Sequence, residues 1–263
     1  MNASTATARP AALVTGARRG IGKAIALALA AKGFDLALAD LEHCDELAQT
    51  VSEAQSSGAN CVAIAADIAD LDKHSSLLGD AQTALGPLDC LVNNAGVSVL
   101  SRGDLLDVTP ESFDRCVSVN TRGGFFLTQA FAKQLLAHTP KRDVYRSIIT
   151  VTSSNALAAS INRGEYCVSK AGLSMASTLF SVRLADHGIG VFELQPGFIE
   201  TEMTAPSKSR YDEQIACGLT VIRRWGQPSE VAQTVATLAT GGLAYSAGQA
   251  VRVDGGLLTP KFQ

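Results

Sequence analysis

Tyr166 and Lys170 are the residues of this sequence whose types and spacing are best suited to moving a proton. They are four positions apart on a helix predicted to begin near Arg163, so their side chains share one face. A free tyrosine titrates at about pH 10, and a neighbouring ammonium group or a helix N-terminus lowers that pKa. Ser153 lies 13 residues before the tyrosine, at the predicted carboxyl end of a strand, where open α/β sheets place their ligands. Helix surfaces also carry Tyr–Lys pairs by chance, so the serine is what favours a catalytic interpretation.

A glycine-rich turn near the N-terminus could hold a charged ligand beside these residues. It follows the apolar run 11–14 and opens an alanine-rich helical stretch. Its glycines permit a tight turn and a close approach of the backbone to a pyrophosphate, whose charge the helix N-terminus favours. A P-loop is excluded, because Gly16 and Gly22 are six positions apart and Ala24 stands where that motif needs a hydroxyl residue. The turn consists of Gly16, Ala17, Arg18, Arg19, Gly20, Ile21 and Gly22. We therefore predict a dinucleotide rather than a nucleoside triphosphate.

Asp40 favours NAD(H) as that dinucleotide. It ends the second predicted strand, 18 residues after Gly22, where a carboxylate can bind the adenosine ribose hydroxyls and repel a 2′-phosphate. Arg19 has the opposite tendency, because its guanidinium could bind that phosphate. NADP(H) therefore stays possible, and Asp40 could also be an ordinary solvated acid at the end of a strand.

The elements that must position these residues form a repeated strand and helix pattern. Short apolar runs without polar alternation are separated by longer segments of helical period, which predicts a mostly parallel sheet covered on both faces. The predicted strands are 11–15, 36–39, 61–65, 90–93, 147–152, 191–195 and 250–253. Helices are predicted to begin near Gly20, Asp45, Asp70, Thr109, Arg163 and Pro228, and Gly188 is a stop signal. We expect an α/β, doubly wound fold with about seven strands.

Composition bounds the class of protein. The 263 residues are 46% hydrophobic and 18% charged with a net charge of −3, which predicts one domain over residues 10–263 and no general attraction to nucleic acid or membranes. We interpret residues 1–9 as a flexible tail and residues 197–227, which lack clear periodicity, as a mobile substrate flap. The six scattered cysteines form no CxxC pair, and the four histidines form no metal motif. We expect a cytoplasmic protein without a catalytic metal.

Together these features resemble the short-chain dehydrogenase/reductase family, from Ala11 to about Gly256. The matching motifs are Thr15-Gly16-x-x-x-Gly20-Ile21-Gly22, Asn93-Asn94-Ala95-Gly96, Asn120, Ser153, Tyr166-x-x-x-Lys170 and Pro196-Gly197-x-Ile199-x-Thr201. Each motif is weak alone, but their joint order is specific. The resemblance implies a single-domain Rossmann fold.

The same resemblance implies the catalytic roles. Tyr166 would be the general acid in ketone reduction and the general base in alcohol oxidation. Ser153 would hold and polarise the substrate oxygen, and Lys170 would bind the nicotinamide ribose and lower the pKa of the tyrosine. Asn120 would help to hold a water molecule that links Lys170 to bulk solvent.

The resemblance also implies the cofactor contacts. Asp67 and Ile68 would contact the adenine, although Asp67 could instead cap a helix. Asn94, Ala95 and Gly96 would lie beside the adenosine ribose, and Thr201 would contact the nicotinamide carboxamide. The full predicted set is Gly16, Arg18, Arg19, Gly20, Ile21, Gly22, Asp40, Asp67, Ile68, Asn94, Ala95, Gly96, Tyr166, Lys170, Pro196, Gly197, Ile199 and Thr201.

The helix after Lys170 carries two apolar stripes, which predicts that both sides of the helix are buried. One stripe should meet the sheet and the other a second subunit, and family members are usually tetramers or dimers, so we expect a homo-oligomer. The stripes are Val168, Ala171, Met175, Leu179 and Val182, and Leu173, Ala176, Phe180 and Leu184.

The leading hypothesis is an NAD(H)-dependent oxidoreductase that interconverts a ketone and a secondary alcohol. The stretch 160–167 looks most like members grouped with 3-oxoacyl-[acyl-carrier-protein] reductases, which makes a 3-oxoacyl thioester one candidate substrate. Those reductases generally use NADPH, and Asp40 departs from that pattern. A dehydrogenase of sugars, polyols or other small secondary alcohols is an alternative, and a catalytically silent dinucleotide sensor is an alternative of another class.

Overall fold

The computed structural model describes residues 9–137 and 144–261, so the predicted tail 1–9 lies outside the described residues except for Arg9. Seven parallel strands form one sheet in the order β3-β2-β1-β4-β5-β6-β7. The strands are β1 (Ala11–Thr15), β2 (Asp35–Asp40), β3 (Cys61–Ala65), β4 (Cys90–Asn93), β5 (Arg146–Val151), β6 (Ile189–Pro196) and β7 (Ala250–Val253). The strand order reverses between β1 and β4, which is where open α/β sheets bind their ligands. The predicted doubly wound α/β fold is confirmed.

Helices cover both faces of this sheet. They are α1 (Gly20–Ala31), α2 (Asp45–Ser56), α3 (Lys73–Leu85), α4 (Pro110–Cys116), α5 (Gly124–Ala137), α6 (Gly164–Leu184), α7 (Lys208–Ala216) and α8 (Pro228–Ala239). Alternate residues of β1 enter different cores: Val14 packs in the cluster that contains Ile25 of α1, and Leu13 packs in the cluster that contains Phe131 of α5. Two buried faces explain why the strands are apolar without alternation.

Most predicted helix starts agree with the structure, and one differs. Thr109 caps α4, since its side chain accepts a hydrogen bond from the backbone N–H of Ser112 at 3.3 Å, and Gly188 ends the α6 segment with φ of 65°. The helix predicted near Asp70 begins at Lys73, because Asp67 and Asp70 each accept a hydrogen bond from the N–H two residues later and form turns first.

The predicted helix after Thr109 is not one continuous α-helix. Between α4 and α5 the segment Val117–Gly123 has π-helical geometry. Such a bulge changes which side chains face inward and is often found at functional sites.

The segment 197–227 is also more regular than its sequence indicates, because it contains α7. Trp225 anchors this helix by donating from Nε1 to Asp212 at 2.7 Å. Among the described residues, no helix has the combination of length and hydrophobicity needed to cross a bilayer.

Candidate active site

The three residues predicted to do chemistry meet where β5 ends and α6 begins. Ser153 is two residues beyond β5, while Tyr166 and Lys170 lie in the first two turns of α6. Tyr166 is 9% exposed and Lys170 only 4%. The spacing of four therefore points both side chains towards the protein interior, beside the carboxyl edge of the sheet.

Lys170 is held by the strand that precedes the serine. Its Nζ donates to the carbonyl oxygen of Val151 at 3.1 Å and lies 5.8 Å from the centre of the Tyr166 ring. Burial lowers the pKa of Lys170 to about 8, against the attraction of Glu193 and Cys116, which raise it. The lysine is therefore poised to change its charge near neutral pH.

Burial raises the pKa of Tyr166, which differs from the expectation of a lowered value. The physical reason is that removing the phenolate from water costs more than its neighbours return. The main opposing charge is Arg163, with a hydrogen bond from Ser153 next, rather than Lys170. Arg163 lies with its guanidinium carbon 5.1 Å from the ring centre. The sequence analysis missed this residue, although its position three residues before the tyrosine places both on one helix face.

The turn after β5 presents the serine. The backbone N–H of Asn155 donates to Ser153 Oγ at 3.1 Å, and the Asn155 side chain donates to Ala158 O at 2.8 Å. Arg163 donates in turn to Asn155 Oδ1. A single polar network thus fixes Ser153 relative to the start of α6.

Asn120 lies in the π-helical segment and bridges the two halves of the site. Its Oδ1 accepts from the N–H of Val97 at 2.8 Å, and its Nδ2 lies 3.0 Å from Val97 O and 2.9 Å from Ser169 Oγ. The residue is 1% exposed, so the bulge turns it inward against the loop after β4 and against α6. A Cβ built on Gly96 would lie 3.0 Å from Asn120 Oδ1 and 3.4 Å from Lys170 Nζ.

The glycine turn has the shape that its sequence predicts. Gly16 and Gly20 have φ of 66° and 55°, values that residues with a side chain rarely adopt. A Cβ on Gly22 would lie 1.9 Å from the carbonyl oxygen of Gly16. Asn94 fastens the turn to β4, because its Nδ2 donates to the carbonyl oxygens of Thr15 and Gly16, both at 3.0 Å. The backbone is therefore open to a phosphate group where no side chain intervenes.

The charged residues around the turn are engaged with one another. Asp40 accepts the backbone N–H of Arg18 at 3.1 Å, and the Arg18 Nε lies 3.6 Å from its carboxylate. Arg19 pairs with Glu202 and lies 3.9 Å from Glu46. Thus Asp40 stands beside the turn as predicted, and it holds one of the two arginines that could bind a 2′-phosphate.

The remaining predicted cofactor residues line the same edge. Asp67 accepts the N–H of Ala69 at 2.9 Å and so stabilises a turn, while Ile68 is 7% exposed. Asp67 thus stabilises a turn before α3 and does not cap that helix, which was the alternative raised for it.

The segment after β6 approaches the glycine turn from the other side. Pro196 ends β6, and the N–H of Gly197 donates to Val253 O at 3.0 Å. Ile199 pairs with Gly226, and a Cβ on Gly20 would lie 3.6 Å from Thr201 Cγ2. The structure therefore brings both ends of the predicted cofactor set to one cleft.

These residues fit a nicotinamide dinucleotide. The side-chain-free turn suits the pyrophosphate, Asp40 suits a ribose, and the buried Tyr–Lys pair lies at the far end of the same cleft. The bound dinucleotide supplies or accepts the hydride. In the described ranges, no group of three or more His, Cys, Asp or Glu residues could hold a metal ion.

Comparison with known proteins gives the same answer. Residues 16–258 match the family model described as enoyl-(acyl carrier protein) reductase. The chain is 33% identical over 247 residues to a 3-oxoacyl-[acyl-carrier-protein] reductase of Staphylococcus aureus, covering 94% of this chain and 97% of that protein. It is 44% identical to the structure of a 3-oxoacyl-[acyl-carrier protein] reductase from Brucella melitensis in complex with NAD, with a TM-score of 0.94 and coverage of 98% and 100%.

A further solved structure, from Agrobacterium tumefaciens, contains bound NADP. It is 30% identical, with a TM-score of 0.84 and coverage of 95% of this chain and 97% of that one. Both dinucleotides therefore occur among the structural relatives. The sheet order, the glycine turn and the position of Ser153 beside the buried Tyr166 and Lys170 agree with these comparisons. The chain belongs to the short-chain dehydrogenase/reductase family and is an oxidoreductase that interconverts a ketone and a secondary alcohol.

Proposed function

We propose that Tyr166 is the general acid of ketone reduction and the general base of alcohol oxidation. The observation that carries this proposal is the meeting of Tyr166, Ser153 and Lys170 at the carboxyl edge of β5. In reduction the phenol gives its proton to the substrate oxygen, and Ser153 donates a hydrogen bond that holds this oxygen. The ammonium group of Lys170 stabilises the phenolate that remains.

Asn120 is proposed to organise the exit for the proton. Its amide groups are committed to Val97 and Ser169, which fixes the loop after β4 next to Lys170. A water molecule held at this polar junction would connect the lysine to solvent.

The proposed substrate is a 3-oxoacyl thioester, reduced to the 3-hydroxy form. The Staphylococcus aureus and Brucella melitensis relatives carry the name of that activity, and the similarity extends over nearly the whole chain in both cases. Sugar and polyol substrates, and a silent dinucleotide sensor, are less favoured by these comparisons.

NADH is the proposed cofactor in preference to NADPH. Asp40 supports this choice, because its carboxylate would repel a 2′-phosphate and already forms an ion pair with Arg18. The relative at 44% identity was solved with NAD, whereas the relative at 30% identity contains NADP. Cofactor contacts are proposed for the glycine turn, Asp67, Ile68, the loop after β4 and the segment from Pro196 to Thr201.

A homo-oligomer built on α6 is proposed as the working form. The stripe with Leu173 and Leu184 is buried against the sheet, while the stripe with Met175 and Val182 is 58% and 77% exposed at those two residues. An exposed apolar stripe on a long helix is typical of a subunit contact. The six cysteines are free thiols, in keeping with a proposed cytoplasmic location.

A spectrophotometric screen tests the proposal. Purified protein is assayed with NADH and with NADPH against 3-oxoacyl thioesters, cyclic ketones and keto-sugars. We expect the highest kcat/KM with NADH and a 3-oxoacyl thioester. A clear preference for NADPH would contradict the role of Asp40, and a preference for keto-sugars would contradict the substrate assignment. Light scattering on the same sample gives the subunit number, and a monomer would contradict the oligomer.

A further inference from the structure

Glu193 is a buried carboxylate in β6 that the proton transfer described above does not use. It lies between Phe192 and Leu194 and is only 4% exposed. Three side chains donate to it: Thr152 Oγ1 at 2.5 Å, Gln195 Nε2 at 2.9 Å and Ser174 Oγ at 2.8 Å. An ionised carboxylate only accepts hydrogen bonds, so three surrounding donors favour the charged form of Glu193.

The hydrogen-bond partners of Glu193 flank Lys170 on both sides. Thr152 follows Val151, whose carbonyl oxygen accepts the hydrogen bond from Lys170 Nζ at 3.1 Å. Ser174 is one helical turn beyond Lys170 and shares its face of α6. The carboxylate is therefore tied to the strand and to the helix that hold the lysine.

No other group that faces Lys170 carries a negative charge at neutral pH, among the residues that the structure describes. Cys116 faces it from α4 and Tyr166 from its own helix, but burial raises the pKa of both groups and keeps them neutral. The charge of Glu193, in β6, raises the pKa of Lys170, which burial has lowered to about 8. The charge of the lysine near neutral pH thus depends on this one partner.

We propose that Glu193 is a positioning residue that keeps Lys170 in the ammonium form needed for ketone reduction. The inference rests on the proposed function. In reduction the phenolic O–H bond of Tyr166 breaks, a new O–H bond forms on the substrate oxygen, and the reduced cofactor supplies the hydride and its electron pair. The phenolate left behind is stabilised only while Lys170 is charged, so reduction declines as pH rises through the pKa of Lys170. Removing the carboxylate lowers that pKa and moves the decline to lower pH.

The test is the pH profile of the Glu193→Gln variant. We measure kcat/KM for the best ketone of the screen, at saturating reduced cofactor, from about pH 6 to about pH 9.5, so that a shift of about one pH unit can be resolved. The descending limb of the wild type should have its midpoint near the pKa of Lys170, about 8, and that of the variant should lie about one pH unit lower. An unchanged midpoint in the folded variant overturns the proposal.

Glu165→Gln is the matched control. Glu165 is also a buried carboxylate, 3% exposed, but it accepts a hydrogen bond from Ser112 of α4 at 2.6 Å, and its charge acts on Cys116. Its variant should keep the wild-type midpoint, and an equal shift there would contradict a specific role for Glu193. Glu193→Asp keeps the charge and should restore most of the wild-type profile.

Two further variants separate the possible failures. Ser174→Ala removes one donor but leaves the charge, so a merely structural cluster would lose thermal stability in both Ser174→Ala and Glu193→Gln without moving the pH limb. If Glu193→Gln does not fold, Glu193→Asp is used for the test. Its carboxylate is one methylene group further from Lys170, so the midpoint of its descending limb should move to lower pH by less than in Glu193→Gln. Turnover retained in Tyr166→Phe would contradict the proposed function itself. If Tyr166→Phe loses turnover but the descending limb of Glu193→Gln keeps the wild-type midpoint, only this inference is contradicted.

Discussion

The glycine turn (residues 16–22) and the proposed proton-transfer cluster (Ser153, Tyr166 and Lys170) are built on different physical principles. The turn is shaped by backbone: its glycines adopt positive φ, and a Cβ on Gly22 would lie 1.9 Å from a carbonyl oxygen. The cluster is shaped by buried side chains that can change their charge, with the pKa of Tyr166 raised and that of Lys170 lowered to about 8.

The difference follows from what each region has to do. A pyrophosphate keeps its charge at neutral pH, so its binding site needs only fixed donors at close range. A proton-transfer site needs groups whose pKa values lie close to the working pH. Burial moves the pKa of Lys170 towards neutrality but that of Tyr166 away from it, so the tyrosine depends on the groups around it. Substitutions in the turn should therefore act sterically, while those in the cluster should act on the rate and its pH dependence.

Replacing Tyr166 with phenylalanine should have the largest effect and sharpen this contrast. The variant lacks the proton donor, so turnover should fall by roughly 10³-fold while the cofactor still binds. Steady-state kinetics and a fluorescence titration with NADH measure the two quantities. Tyr145→Phe is the control, since Tyr145 is a second phenol whose pKa burial raises. Equal losses of turnover in both variants, or unchanged turnover in Tyr166→Phe, would contradict the assignment of Tyr166 as the general acid.

Gly22→Ala should break the turn itself. The added Cβ meets the carbonyl oxygen of Gly16, and an overpacked contact of this kind costs about 1–3 kcal/mol. If that cost falls on the turn that binds the cofactor, affinity should drop by roughly 5- to 150-fold. Calorimetric titration with NADH at two pH values should give the same loss at both. Gly79→Ala in α3 is the control, because among the described residues only its own chain neighbours and helix backbone come within 4 Å of its Cβ position. A strongly pH-dependent loss would argue against a steric origin.

Asp40→Asn should change the cofactor preference without changing the shape of the turn. It removes the charge that repels a 2′-phosphate and frees Arg18 to bind one, so the NADPH to NADH ratio of kcat/KM should rise by roughly 10- to 100-fold. Glu42→Gln is the comparison variant: Glu42 also lies 3.6 Å from Arg18, but its side chain is 71% exposed. A ratio that stays constant in Asp40→Asn would show that another group selects the cofactor.

Arg163→Gln should have the smallest effect on turnover, with its clearest signature in the pH profile, although Arg163 also donates to Asn155 beside Ser153. Arg163 lowers the pKa of Tyr166, so its removal raises that pKa. Alcohol oxidation needs the phenolate, which forms as pH rises through this pKa, and the ascending limb should therefore move up by about half to one pH unit. Arg183→Gln, in the last turn of the same helix, should leave the limb in place. A shift towards acid pH would contradict the sign of the Arg163 effect.

The sequence predicted the strands well because each strand is buried on both faces and is therefore a continuous apolar run. Every predicted strand lies within two residues of an observed one, as with 36–39 against Asp35–Asp40 and 191–195 against Ile189–Pro196. The helix α7 was missed because its residues are mostly polar and only Ile215 among them is buried. The π-helical segment was missed because nothing in local spacing distinguishes a bulge from a regular helix.

The candidate site was predicted in its residue types but not in its electrostatics. Motif spacing places Tyr166 and Lys170 on one helix face, whereas the partner of that lysine comes from a distant strand. Glu193 is 23 residues beyond Lys170 in sequence, and its only local signal is a charge inside an apolar run. The direction of the Tyr166 pKa depends on burial, which is the sum of contacts from several elements.

By itself the sequence determined the parallel sheet, the glycine turn and the candidate reacting side chains, because backbone freedom, periodicity and side-chain chemistry are local properties. Only the tertiary structure decided which charges those side chains meet. The packing of the chain brings Arg163 beside the Tyr166 ring, and the pairing of distant strands brings the charge of Glu193 close enough to act on Lys170. In a buried site of low polarity, such neighbours set the protonation of each group, and protonation sets what the site can do at a given pH.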